Sequence, residues 1–201
     1  MRMPLKLFVL ILTIFIAAFT VKAQDVAVNT NLVHDAILTP NLGVEVKVDS
    51  SWTLDFNGAL RPWPTSDKVR RKYRHLTLQL KGRKWIDGTP FRGRFYDIDL
   101  LYAHYNIGNL NMHYFGMFQA ANHHRIQGNL YGAGSRYGYA WQLGSGFGVN
   151  VWGGADLSWT HYRKYNCDYC GSLIKHESRV YLLPEIGVEV NYQFGRANKT
   201  K

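Results

Sequence analysis

Acidic residues are scarce in this chain of 201 residues, with 14 Asp and Glu against 24 Lys and Arg and a formal net charge of +10. Long charge runs are scarcer still. No basic stretch exceeds Lys68–Lys72, and no basic groove interleaved with aromatics accompanies it, which argues against nucleic acid as a partner. There are only two cysteines and no G-x-S-x-G elbow. Beyond the N-terminal segment no stretch shows a convincing helical period. The length leaves room for one domain and excludes a multidomain enzyme. What is abundant is hydrophobic and aromatic: 46% hydrophobic residues, 19 Gly, 13 Tyr, 10 Phe and 6 Trp. That composition is globular rather than disordered and favours β structure with tight turns.

The N-terminus reads as an export signal. Arg2 and Lys6 precede an uncharged apolar run from Leu7 to Thr20, and Val21-Lys22-Ala23 offers a cleavage site. The apolar core is short for a stable membrane span. No cysteine lies near the cleavage point to carry a lipid anchor. The expected division is a signal peptide over residues 1–23 and a single domain over 24–201. Loss of Arg2, Lys6 and Lys22 lowers the formal charge from +10 to +7.

Downstream, the dominant signal has a period of two. Leu42, Val44, Val46 and Val48 alternate with Gly43, Glu45, Lys47 and Asp49. Trp52, Leu54, Phe56 and Leu60 alternate with Thr53, Asp55, Asn57 and Arg61. Leu76, Leu78 and Leu80 do the same against Thr77, Gln79 and Lys81. Phe147–Thr160 and Arg179–Phe194 repeat the pattern at greater length. Successive side chains of a strand point to opposite faces, so each segment has one apolar and one polar face. Val26–Ala36, Arg94–Tyr105 and Leu130–Trp141 complete a set of eight strands. In the last of these, Arg136 falls where alternation asks for an apolar group, and a bulge near Gly134-Ser135 would correct the register.

The connections are of two kinds. Ser50-Ser51 and Gly144–Gly146 are tight, and Ile86–Gly93 belongs to the same side. Pro62–Lys72, Asn106–Gly128 and His161–Ser178 are long and polar, with Thr39-Pro40-Asn41 a short member of that side. Such alternation is what an antiparallel up-and-down barrel with both termini at one end produces. A soluble barrel would turn the apolar face inward, whereas a membrane barrel turns it outward around a polar interior. Aromatics near strand ends (Trp52, Trp63, Trp85, Trp141, Trp159, Tyr192 and Phe194) favour the membrane form, as interfacial girdles require. The expected fold is therefore all-β, an eight-stranded antiparallel transmembrane β-barrel behind a cleaved signal peptide. It would sit in the outer membrane with both termini periplasmic.

Several strings in order resemble the exported Gram-negative proteins catalogued as domain of unknown function 3575. They are Asn29-Thr30-Asn31-Leu32-Val33-His34-Asp35-Ala36, Thr39-Pro40-Asn41-Leu42-Gly43-Val44-Glu45, Trp52-Thr53-Leu54-Asp55, Tyr105-Asn106-Ile107-Gly108, Tyr131-Gly132-Ala133-Gly134 and Cys167-Asp168-Tyr169-Cys170-Gly171. The resemblance implies an outer-membrane-type barrel, often encoded beside fimbrial (surface-fibre) components, with no established activity and no catalytic residues. Asp97 and Asp99 stand where small residues or His are expected in that pattern.

Two constellations could carry chemistry. Cys167 and Cys170 suit a local disulfide in an exported protein. With His161 and His176 they form His-x5-Cys-x2-Cys-x5-His, whose two thiolates and two imidazoles would also suit tetrahedral zinc. The disulfide is the favoured reading, with zinc or free thiols as alternatives, and no cofactor is expected. The second constellation is the polar face. Glu45, Asp55, Asp97, Asp99, Asp156, Glu185 and Glu189 share it with Lys47, Arg61, Lys81 and Arg179. Eight strands leave an interior only wide enough for side chains, so these charges are expected to pair as a plug rather than line a pore.

A lipid-A-modifying enzyme would need a nucleophile and base in reach of each other. His104, Ser135, Ser158 and His161 fall near the outer strand ends, but alternation turns Ser158 inward and His104 outward. Lys and Arg around Arg61–Arg74 could neutralise lipopolysaccharide phosphates. The expectation is a non-enzymatic barrel with a structural or accessory role at the cell surface, in contact with outer-membrane lipid and lipopolysaccharide and linked through the resemblance to surface fibres. The alternatives are a lipid-A-modifying barrel enzyme and a soluble periplasmic barrel that binds a small ligand.

Overall fold

Alternation is obeyed over long stretches. The structure, a computed structural model, describes residues 26–63, 72–109, 119–166 and 171–194. The expected signal peptide and the Cys167–Cys170 pair lie outside the described residues. The chain forms eight antiparallel strands: β1 (Val26–Asn31), β2 (Asn41–Lys47), β3 (Trp52–Arg61), β4 (Lys72–Trp85), β5 (Gly93–Gly108), β6 (Arg125–Gly144), β7 (Phe147–Tyr165) and β8 (Leu173–Gln193). Each pairs with the next, and β8 pairs with β1, so one sheet closes in a ring. The ring has a turn end, where β2–β3, β4–β5 and β6–β7 connect, and a loop end with the longer connections.

The register fixes the lean of the strands. From Asn191 the paired residues run through Asn29, Gly43, Asn57, Gln79, Leu101, Gly132 and Ser158 to Tyr181, ten residues along β8 from the start. A stagger of that size over eight strands tilts them by about 40° to the axis of the ring. Each step along a row of pairs from β1 toward β8 therefore climbs about 3 Å toward the loop end.

Three expectations are corrected. The strand expected over Val26–Ala36 stops at Asn31, and Leu32–Ala36 forms a short helix, α1. Asn31 is the reason: its side chain accepts from the Val33 N–H at 3.0 Å and caps the helix. No bulge occurs at Gly134-Ser135. Pairing with β5 and β7 is continuous there, and the shift in β6 comes at Gln142/Gly144. Arg136 simply belongs to the inward face, with Gly134 and Gly138 on either side, while Tyr131, Tyr137, Tyr139 and Trp141 point outward. Finally, the loop expected over His161–Ser178 is mostly strand, since Tyr165 pairs with Leu173.

The inward glycines of β6 make room for larger groups. A Cβ at Gly134 would overlap the Asp156 carboxylate, and one at Gly138 would crowd Phe95 and Trp152. Gly134→Ala should push Asp156 away from its cation and lower stability by about 1–3 kcal/mol, read from the urea midpoint of the folded protein. An unchanged midpoint would contradict this packing.

Candidate functional site: a sealed interior and a cationic rim

The interior is layered. At the turn end Trp85, Phe91, Phe95, Ala140, Ala27 and Trp152 form one buried cluster. At the loop end Leu101, Tyr105, Ile107, Ile126, Leu130, Tyr162 and Leu183 form another. Between them lie seven carboxylates and three cations, and every carboxylate touches a cation. Arg83 grips Asp97 with two parallel bonds (Nε–Oδ1 2.8 Å, Nη2–Oδ2 3.0 Å) and reaches Glu45 at 3.0 Å and Glu189 at 3.4 Å. Lys81 bonds Glu189 at 2.8 Å and lies 3.3 Å from Asp55. Arg136 holds Asp156 at 2.9 Å, Glu185 at 2.7 Å and, on its other nitrogen, Asp99.

Neutral donors complete the shell where acid outnumbers base. Thr53 donates to Glu45, Asn29 to Asp55, Gln79 to Asp99 and Asn150 to Glu189. Aromatic faces cover the cations: Arg83 sits 4.0 Å from the Phe95 centroid, and Lys81 and Arg136 both lie over Trp152. Charges withdrawn from water are costly unless paired and hydrogen-bonded in this way. A cavity of about 40 Å³ remains beside the network, bordered by His34, Asn57, Gln79, Trp152, Glu185 and Glu189. It has room for a few waters.

Above that cavity β1 and β2 stop short, and a polar knot replaces their ladder. Asn41 accepts from the Asn31 N–H at 2.6 Å and donates back to the Asn31 carbonyl at 3.1 Å and to Asp35 at 2.9 Å. Thr30 donates to Asp35 at 2.9 Å, and Arg61 donates to the Ile37 carbonyl. The described β8 residues that precede Glu189 do not pair with β1, and α1 packs there instead. Pro184 falls in that stretch of β8, where a ladder without a β1 partner tolerates a residue lacking an N–H.

The outward face is divided by sign. Every carboxylate in the eight described strands points inward. Outward, the row Leu80, Leu100, Ala133, Leu157, Leu182 is apolar. Toward the loop end the next row is Leu78, Tyr102, Tyr131, Trp159, Val180, with Tyr102 5.4 Å and Trp159 5.9 Å from the Tyr131 ring. Then come Leu76, His104, Asn129, His161, Ser178, and then Arg74, Asn106, Gln127, Arg163, His176. At the turn end Tyr139 and Trp141 meet at 4.7 Å and Phe147 and Tyr192 at 5.0 Å.

The residues singled out from sequence separate accordingly. Glu45, Asp55, Asp97, Asp99, Asp156, Glu189 and Lys81 are buried inside, as expected, and Arg61 is buried against Ile37. Lys47 is half-buried, and Arg179 lies beyond the closed part, bonded to Glu177 at 3.2 Å. His161 and His176 stack at 5.9 Å, and His161 contacts the Ser178 hydroxyl at 2.8 Å. Ser158 is inward and His104 outward against Asn129, on opposite sides of the wall. Ser135 pairs with Ala155 and Ile98 midway along β6, not near the loop end.

Residues 8–194 match the family described as Protein of unknown function (DUF3575). The chain belongs to this family. No curated protein and no solved structure matches it. Two of the strings that carried the DUF3575 resemblance, Asn29–Ala36 and Thr39–Glu45, build the knot and the capped end of α1. Arg83 and Arg136, the principal interior cations, were not among the residues expected there. Arg83 follows Lys81 at the period of two, which is the signal that could have found it.

Proposed function

We propose that this DUF3575 protein is a non-enzymatic outer-membrane barrel with a structural or accessory role at the cell surface, exported by residues 1–23. One observation carries the reading. The outward face is apolar in its middle, aromatic at both ends and free of carboxylates among the described strands, while charge is gathered and paired inside. That inversion is the arrangement a bilayer demands, since unpaired charge facing hydrocarbon is costly and aromatics settle at the interface. Eight strands leave a filled interior, which favours an anchor or platform over a channel.

The test is direct. Purified protein should float with lipid vesicles, migrate faster on gels when unheated, and show no steady conductance in planar bilayers. Large stable channels would overturn the sealed interior. A monomer that stays soluble without detergent would overturn the membrane assignment.

A further inference from the structure

The loop-end rim has a chemistry of its own. Arg74 and Arg163 share one row of pairs with Asn106, Gln127 and His176 between and beyond them. One row further out, Lys72 pairs with Gly108 and Arg125 pairs with Tyr165, whose ring stacks under the Arg125 guanidinium at 4.4 Å. Lys72, clear of the apolar rows, is held below the ordinary lysine range by burial and then by Arg125 and Arg74. Both arginines therefore lie close enough for Lys72 to sense their charge. The carboxylates of the described strands all point inward, away from this rim.

Position decides what this rim can meet. The strand tilt places Arg74 close to the level of His104 and Trp159, with Arg163 and Arg125 higher. The cations therefore begin where the aromatic row ends, and apolar side chains continue without a break below. A soluble anion would use only the cations. A phosphorylated lipid uses both parts: its tails lie on Leu76, Leu78, Tyr102, Tyr131 and Trp159, and its phosphate reaches the guanidinium forks, which match phosphate oxygens bidentately.

We infer that the outward loop-end rim of β4–β8 binds the phosphomonoester headgroups of lipids in the leaflet that surrounds it. The inference rests on the membrane reading and adds a partner to it. Arg74 and Arg163 supply the strongest contacts, and His104, His161 and the amides of Asn106 and Gln127 supply hydrogen bonds between them.

The experiment uses the full mature chain folded into phosphatidylcholine vesicles with and without phosphatidic acid, followed by native mass spectrometry of the released protein. Wild type should retain phosphatidic acid in preference to phosphatidylcholine. Arg74→Gln with Arg163→Gln should reduce that preference about tenfold, while Lys84→Gln at the turn end should leave it intact. Equal retention by wild type and the double variant, or an equal loss in Lys84→Gln, overturns the inference. Inorganic phosphate that displaces phosphatidic acid at equal concentration assigns the site to a soluble anion and overturns it too. Failure to enter phosphatidylcholine vesicles at all would instead count against the membrane reading on which this one depends.

Discussion

Replacing Arg83 by Met should be among the most damaging single changes in the chain, costing about 3–5 kcal/mol. Arg83 is fully buried, and among the described residues its guanidinium is the only cation in contact with Asp97, which is equally buried. It also touches Glu45 and Glu189. Methionine fills much of the same volume between Phe95 and Trp85 but supplies no donor. Among the described residues Asp97 is then left in the interior without a contacting cation, and Glu45 keeps the Thr53 hydroxyl. Glu189 retains Lys81 and suffers least.

A paired change separates lost charge from lost packing. Adding Asp97→Asn to Arg83→Met removes the uncompensated carboxylate and should restore a large part of the stability, because an intact buried pair and its neutral replacement differ far less than a broken pair. Urea unfolding of the folded protein, followed by tryptophan fluorescence, gives both numbers. A single variant as stable as wild type would mean that the seven carboxylates do not depend on their three cations. A double variant no better than the single would assign the loss to packing.

The period of two was readable because most strands are apolar on one face and polar on the other. It faded in two physically distinct places. At the loop end the interior is itself apolar, so Leu100-Leu101 and Leu182-Leu183 put hydrophobic side chains on both faces and blur the alternation. Beyond the aromatic row the outward face turns polar, so His161 and Arg163 read as loop although they extend β7. At the other end of β4, Lys81-Gly82-Arg83-Lys84 ended the apolar stripe at Leu80, and Arg83 was hidden although it keeps the inward phase. Arg136 was misjudged for a related reason: it shares its face with Leu130 and Ala140, and the inward glycines between them give no hydropathy signal, so that face looked apolar. Pro184 is the signal that could have revealed the shortened β1, since proline is confined to strand edges, but it was not used. Nothing in the pattern could bring Arg83 of β4 to Glu189 of β8, because that meeting depends on the ring closing with a stagger of ten residues.

Arginine at Ile98 should separate a lipid-facing wall from a solvent-facing one. Ile98 is 53% exposed and points outward in the row Gly82, Ser135, Ala155, Pro184. On β5 it lies between Tyr96 and Tyr102, so it falls near the middle of the apolar zone. If that zone is hydrocarbon, Ile98→Arg should cost about 2–4 kcal/mol and slow assembly. Leu143→Arg is the matched control. Leu143 is 69% exposed beside the Gly144–Gly146 turn, where a long cationic side chain reaches water, and its cost should be about 0–1 kcal/mol. Both variants remove an exposed apolar side chain and add the same charge, so their difference reports depth alone. A wall facing water predicts the opposite of a penalty: both variants would fold as wild type does and dissolve more readily. Folding yields and urea midpoints in vesicles, measured side by side, distinguish the two, and equal values would sink the bilayer reading whatever the aromatic rows suggest.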